Sequence, residues 1–190
     1  MRNTDDPTAR FGDRARAYAQ FRPGYEDAVV DALLAGISTP LVADVGAGTG
    51  ISSLALARRG ARVIAIEPND AMRARAEHNA SVGWRAGTAH STGLEDKSVD
   101  IVACFQSFHW FADDAAFDEL ARIARRRIAV VQYERDESDD FTRAYGELVR
   151  KFALDDTEQR RLEALKFFEV RSKTPRHTFA SSQSLAASQL

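Results

Sequence analysis

Residues 41–60 read LVADVGAGTGISSLALARRG, and the interpretation of the whole chain starts from them. An apolar run is followed by three glycines at alternate positions, Gly46, Gly48 and Gly50, and then by apolar residues at helical spacing. Glycine adopts positive φ angles without strain and has no Cβ, so a ligand can approach its backbone closely. The stretch therefore predicts a buried strand, a tight turn and a helix, with the turn as a candidate binding site.

Strand-like runs alternate with helical patterns on both sides of this stretch. Apolar runs short enough for strands lie at residues 41–46, 61–67, 82–87, 99–105 and 127–133. Asn69 is placed to cap a helix running to about His78, and Asp113 or Asp114 to cap a helix that continues to Ala124. This alternation predicts an α/β domain with a doubly wound, Rossmann-like, mainly parallel sheet and helices on both faces. Ligands of such sheets bind beyond the carboxyl ends of the strands.

Charge and composition argue against several classes of partner. The 190 residues carry a net charge of −2, which provides no bulk attraction to nucleic acid or to an anionic membrane. The basic cluster Arg122, Arg125, Arg126 and Arg127 is interpreted as the solvated end of a helix, where cations complement the helix dipole. We therefore expect neither a nucleic acid nor a membrane as partner.

The cysteine content of the chain indicates its cellular compartment, and the spacing of its histidines indicates whether a metal site is expected. Cys104 is the only cysteine, so no internal disulfide is available and a reducing, cytoplasmic location is expected. No secretory signal is expected from the polar start, and no apolar run approaches the ~20 residues that span a bilayer. The four histidines show no ligand spacing, so we expect no metal site.

Two carboxylates near the glycine turn narrow the choice of ligand. Asp44 lies two residues before Gly46, and Glu67 ends the second strand, where it can accept hydrogen bonds from both hydroxyls of a ribose. A dinucleotide site uses the spacing G-x-G-x-x-G, but Ile51 stands where its third glycine would be. Asp44 would repel a pyrophosphate but attract the ammonium and sulfonium groups of S-adenosylmethionine. Glu67 fits either ligand, so a nicotinamide-dependent oxidoreductase stays open as the weaker alternative.

Four segments in order resemble one known family. The class I S-adenosylmethionine-dependent methyltransferases, and most closely their type 11 small-molecule group, are similar to DVGAGTG (44–50), VIAIEPNDAM (63–72), GTAHSTGLEDKSVDIV (87–102) and FQSFHWF (105–111). The resemblance runs from about Phe11 to about Val149. It implies transfer of a methyl group from S-adenosylmethionine to a small-molecule acceptor by in-line displacement.

The resemblance also implies roles for individual residues around the cofactor. Asp44 would help to hold the ammonium group of the cofactor through a water molecule, and Glu67, followed by Pro68, would bind the ribose hydroxyls. The methionine part would lie over Gly46, Ala47, Gly48 and Gly50, the adenine would contact Met72, Thr88 and Ala89, the sulfonium would lie near Gln106, and Tyr18 and Arg22 would belong to a lid. Relatives often carry an aspartate where this chain has Thr88, so the contact with the adenine amine would fall to the Ala89 amide.

The segment SFHWF is the expected acceptor side of the site. Phe108, His109 and Trp110 are assigned to acceptor binding, with ordinary packing as the alternative for each. His109 is the one candidate general base, and a base is needed only if the nucleophile carries a proton at working pH.

We interpret residues 1–190 as one methyltransferase domain with a helical lid (1–36), a cofactor-binding core (41–135) and a helical C-terminal region (136–190). The family fold closes with a sixth strand and an antiparallel seventh, for which RHTFA (176–180) is the one weak candidate. The usual C-terminal strands are therefore expected to be missing, which would leave an open sheet edge that a second copy could cover. The alternative function is a protein that binds S-adenosylmethionine or S-adenosylhomocysteine without turnover.

Overall fold

Five parallel strands form one sheet in the computed structural model, which describes residues 24–153, 156–174 and 176–181. The strands are Leu41–Val45 (β1), Arg62–Ile66 (β2), Val82–Arg85 (β3), Val99–Phe105 (β4) and Ala124–Val131 (β5). Their order across the sheet is β3-β2-β1-β4-β5, and every neighbouring pair is parallel. Because the order reverses between β1 and β4, the carboxyl ends of these two strands form the crevice where such sheets bind ligands.

Six α-helices connect or follow these strands in the described ranges. They are Asp27–Leu34 (α1), Ile51–Arg58 (α2), Asp70–Arg73 (α3), Asp114–Ile123 (α4), Asp140–Phe152 (α5) and Thr157–Ser172 (α6), with a short 3-10 helix at Phe108–Trp110 after β4. The Asn69 side chain caps α3 by accepting from two main-chain N–H groups, and Asp113 caps α4 by accepting from Ala116 N. Both caps were predicted from the sequence.

Helices cover both faces of the sheet, as the strand–helix alternation predicted. Side chains of a strand point alternately to opposite faces, so Ile101 and Phe105 of β4 pack with α1 and α2, whereas Val102 and Cys104 pack with α4 and α6. The Cys104 thiol is fully buried. No described helix combines the length and the apolar character needed to cross a membrane.

β5 begins where α4 ends, which corrects two predictions. Ala124 was assigned to the helix, but it has extended backbone angles and pairs with Val99 of β4. The basic cluster was assigned to a helix end, but its last three arginines lie on β5. Arg125 and Arg126 approach the Asp100 carboxylate at 3.6 and 3.9 Å. Because no turn residue separates the helix from the strand, the sequence carries no local signal of the boundary.

α3 is much shorter than the predicted helix to His78. It ends at Arg73, and most residues from Ala74 to His78 are exposed. A second turn would bury no apolar surface there, and short helices depend on tertiary packing for stability.

Nothing in the described C-terminal part adds a strand to the sheet. Residues 176–180, the candidate sixth strand, form neither strand nor helix. The outer edge of β5 is thus without a partner strand among the described residues. α6 packs against the 3-10 helix after β4 through Phe167 and Phe168, whose rings lie 6.3 and 5.6 Å from the ring of Phe108.

Candidate functional site

The glycine turn between β1 and α2 lies at the carboxyl end of the sheet. Gly46, Gly48 and Gly50 all have positive φ angles, at 73°, 60° and 89°. A Cβ on Gly46 would lie 2.6 Å from Ser107 Cβ, and a Cβ on Gly50 would lie 2.8 Å from the Trp84 ring. Packing within the protein therefore requires glycine at positions 46 and 50, in addition to any requirement from a ligand.

Ser107 is a part of this site that the sequence analysis missed. Its hydroxyl donates a 2.7 Å hydrogen bond to the carbonyl oxygen of Val45, which ties the end of β1 to the segment after β4. The side chain also fills the space beside Gly46. No spacing rule connects a serine with a glycine 61 positions earlier, so the pair is visible only in the folded chain.

Glu67 follows β2 and reaches the glycine turn. Its two carboxylate oxygens accept 2.9 Å hydrogen bonds from the main-chain N–H groups of Gly48 and Asn69. The side chain is 8% exposed, and burial raises its pKa although both hydrogen bonds favour the charged form. Each carboxylate oxygen retains further acceptor capacity, which two vicinal hydroxyls can use.

Asp44 lies beneath the turn and is fully buried. Its Oδ2 accepts hydrogen bonds from the hydroxyls of Ser52 (2.7 Å) and Ser53 (2.6 Å), both at the start of α2. Its Oδ1 is buried and has no hydrogen-bond partner among the described residues. The pKa of Asp44 is raised to about 6, chiefly by burial and also by the nearby charge of Glu67, while the hydrogen bonds from the two serines oppose the rise.

The other predicted cofactor residues lie around the same turn or at its edge. Met72 is buried, with its methyl group 3.4 Å from the position of a Cβ on Gly48. Ala47 is buried in the turn itself, and its main-chain N–H donates to Ile66 O at 3.1 Å. Pro68 and Thr88 are exposed, and Ala89 is buried beside them.

The acceptor side is built by the segment after β4. Gln106 is 5% exposed with a φ of 53°, and its main-chain N–H donates to Val131 O at 2.8 Å. Phe108 is fully buried among aromatic rings of α6, so in this structure it belongs to the core. His109 is 7% exposed, and its ring lies 4.7 Å from the ring of Trp110.

Tyr18 and Arg22 lie outside the described residues, so their predicted lid role stays a prediction. Tyr25, near the start of the described residues, lies beside the site. The Tyr25 ring packs edge-on against Phe105 at 4.6 Å and stacks on Tyr133 at 5.5 Å. Between Tyr25, Phe105 and the glycine turn lies an open depression of about 240 Å³, solvent-facing space included.

Ser52, Ser53 and Trp84 also contact the site and were not predicted from the sequence. Two adjacent serines in the first turn of a helix were the available signal, because serine is a poor residue for a helix interior unless its hydroxyl has a partner. For Trp84 there was no signal beyond its position on a strand.

Comparison with known proteins shows similarity to methyltransferases. The family described as "Methyltransferase domain" matches residues 43–129. An uncharacterized methyltransferase of Mycobacterium tuberculosis is 35% identical over 150 residues, which are 76% of this chain and 60% of the relative.

Two solved structures extend this likeness to three dimensions. A proposed type II methyltransferase of Anaeromyxobacter dehalogenans is 30% identical with a TM-score of 0.60, over 72% of this chain and 62% of that one. A proposed methyltransferase from an antibiotic biosynthesis pathway of Anabaena variabilis is 30% identical with a TM-score of 0.56. The match covers 77% of this chain and 60% of that one. The chain thus spans about 60% of the length of the relatives that it matches.

Proposed function

We propose that this chain, which matches methyltransferases in sequence and fold, transfers the methyl group of S-adenosylmethionine to a small-molecule acceptor. The proposal includes a cytoplasmic setting, in keeping with the buried, unpaired thiol of Cys104. The single observation that carries the activity is the set of carboxylate oxygens at the glycine turn.

These oxygens fit the chemistry of the cofactor. Asp44 presents a buried oxygen without a partner among the described residues, as a cationic ammonium group requires. Glu67 is held in place by the N–H groups of Gly48 and Asn69, so its carboxylate is oriented before any ribose arrives. A pyrophosphate would meet two carboxylates here, which argues against a dinucleotide.

When bound, S-adenosylmethionine supplies a methyl group already activated by positively charged sulfur. The protein then has to hold the acceptor in line with that group and exclude water. Gln106, His109 and Trp110 follow β4 at the switch point, where they can position an acceptor. Of these, His109 is the residue proposed to remove a proton if the acceptor requires it.

Calorimetric titration with S-adenosylhomocysteine tests the cofactor assignment, with NADH as the competing ligand. The wild type should bind the nucleoside and not NADH. Glu67→Gln should weaken binding about 10–100-fold, because a charge-assisted hydrogen bond contributes about 1.5–3 kcal/mol. The exposed Glu77→Gln is the matched control and should bind as the wild type does. Equal affinity in the two variants would contradict the role of Glu67.

Turnover separates the enzyme from a protein that only binds the cofactor. Incubation with S-adenosylmethionine and pooled metabolites should release S-adenosylhomocysteine in proportion to the amount of protein. Tight nucleoside binding without any release would favour the binding protein.

A further inference from the structure

One wall of the depression at the glycine turn is built by a residue outside the sheet. The depression measures about 240 Å³ with its solvent-facing space, which is less than the ~300–1,000 Å³ of sites that enclose a small molecule. A ligand enclosed there therefore has to displace part of the lining. Tyr25 differs from the other described lining residues, because it belongs to the segment before α1 and not to a strand, the glycine turn or α2.

The rest of the lining is fixed by the sheet and the turn. Phe105 ends β4, and Gly46 packs against Ser107 without room for a methyl group. Displacing either of them would disturb the strand pairing or the packing beside the turn. Displacing Tyr25 leaves both intact, so Tyr25 is the part of the lining that a ligand can move.

Tyr133, two residues after the end of β5, holds Tyr25 in place. The two rings are parallel within 4°, and their centroids lie 5.5 Å apart. The Tyr133 hydroxyl also donates a hydrogen bond to the carbonyl oxygen of Gly24. Each tyrosine is followed in the chain by an exposed acid, Glu26 after the first and Glu134 after the second.

The segment after α6 is attached to the second of these acids. We call residues 176–181 of this segment the strap. Its first residue, Arg176, lies 3.4 Å from the Glu134 carboxylate and 2.8 Å from that of Glu169 on α6. Arg176 therefore fixes the start of the strap between α6 and the segment that follows β5.

The other end of the strap is attached to the first acid. The Ser181 hydroxyl donates a 3.1 Å hydrogen bond to the Glu26 carboxylate. Because Glu26 adjoins Tyr25 and Glu134 adjoins Tyr133, the strap is bonded on both sides of the stacked pair. Exposed groups make these contacts, and exposed ion pairs are weak enough to open and close readily.

We propose that the strap is autoinhibitory, and that it holds Tyr25 against Phe105 in the position that restricts the depression. The inference rests on the proposed function and adds a means of regulation to the same site. Contacts made only while the wall is closed stabilise the ligand-free protein, so they lower the apparent affinity for a ligand that displaces the wall. Weakening the strap should improve binding, whereas general structural damage should impair it.

Arg176→Gln removes the charge that holds the strap, and Arg160→Gln is the matched control. Arg160 is exposed to a similar extent, but it pairs with Asp156 at the start of its own helix. Thermal unfolding first establishes that both variants are folded, and calorimetric titration with S-adenosylhomocysteine then measures affinity. Arg176→Gln should bind about 2–5-fold more tightly than the wild type, and Arg160→Gln should bind as the wild type does.

Salt provides a second measurement on the same proteins. Mobile ions screen exposed ion pairs, with a Debye length of about 10 Å at 0.1 M ionic strength and about 3 Å at 1 M. The difference in affinity between the wild type and Arg176→Gln should therefore shrink as the salt concentration rises.

Hydrogen exchange of the ligand-free proteins tests the wall itself. Main-chain amides of residues 24–34 should exchange faster in Arg176→Gln than in the wild type, because the strap no longer holds the segment before α1. Arg160→Gln should exchange at the rate of the wild type.

Two results would overturn the inference. The affinity of Arg176→Gln for S-adenosylhomocysteine could equal or fall below that of the wild type, or exchange of residues 24–34 could be the same in both. If none of the three proteins binds S-adenosylhomocysteine, the proposed function fails and the inference falls with it. Equal binding by all three removes the inference alone.

Discussion

Asp44 is the residue at which stability and the proposed binding role oppose each other. A carboxyl group whose pKa is raised to about 6 in the folded protein binds its proton more tightly there than in the unfolded chain, where the pKa is 3.8. Its contribution to the free energy of unfolding is therefore most favourable below pH 4 and declines as the pH rises through 6. At pH 8 the ionised, buried carboxylate costs about 3 kcal/mol of stability.

Asp44→Asn should therefore stabilise the free protein at high pH. The amide oxygen can still accept from Ser52 and Ser53, and no charge is buried. We expect the free energy of unfolding to rise by about 1–3 kcal/mol at pH 8 and to change little at pH 4. Affinity for S-adenosylmethionine should fall at pH 8.

Urea denaturation at the two pH values measures the change, and the exposed Glu95→Gln is the control. An equal loss of stability for Asp44→Asn at both pH values would contradict the raised pKa.

The strand–turn–helix formed by β1, the glycine turn and α2 is held to β4 by close packing at Gly46. The neighbouring Ser107 leaves no room for a methyl group there, while a Cβ on Gly60 at the end of α2 would meet nothing within 4 Å. Both glycines have positive φ angles, at 73° and 88°. Alanine at position 60 therefore tests the cost of a positive φ angle alone, whereas alanine at position 46 tests that cost together with steric overlap.

Gly60→Ala should lose about 1–2 kcal/mol from its backbone conformation alone. Gly46→Ala should lose more, because its Cβ also overlaps the Ser107 side chain. Adding Ser107→Gly to Gly46→Ala should recover part of the difference, so the loss in the double variant should be smaller than the sum of the single losses. Denaturant unfolding of the four variants measures this coupling, and strictly additive losses would show that the overlap is relieved some other way.

At the scale of the whole molecule, two surfaces of the described chain lack cover. One is the outer edge of β5, and the other is a stripe of large apolar side chains on α5. Phe141, Tyr145, Leu148 and Phe152 are between 50% and 77% exposed. Their spacing of four, three and four residues reads the same in both directions, so two antiparallel copies of α5 would place Phe141 opposite Phe152 and Tyr145 opposite Leu148. This symmetry suits an isologous dimer.

We predict that the protein forms a homodimer through α5. Light scattering across a concentration series should show a mass that rises from one copy toward two. Phe141→Ser with Phe152→Ser should keep the protein monomeric, whereas Val170→Ser, at an equally exposed position on α6, should not. A monomer at all concentrations of the wild type would rule out this dimer.

Local sequence patterns predicted most of the elements that carry the proposed cofactor-binding residues. Alternation of apolar runs with helical spacing gave the parallel sheet, because side-chain periodicity depends on the local backbone alone. The glycine spacing and the position of Glu67 located the turn and its carboxylate, which the structure brings within 2.9 Å at Gly48 N. The sequence misplaced the start of β5 and the end of α3, where no turn residue or cap marks the boundary.

The sequence by itself determined the strand–turn–helix with its carboxylates, since these features lie within short segments whose conformation follows from neighbouring residues. Only the tertiary structure decided which partners meet across the sheet. Ser107 beside Gly46 and the serines on Asp44 join residues that lie far apart in the chain or on separate elements. Such contacts depend on how the helices pack over the carboxyl ends of the strands, and no local pattern encodes that packing.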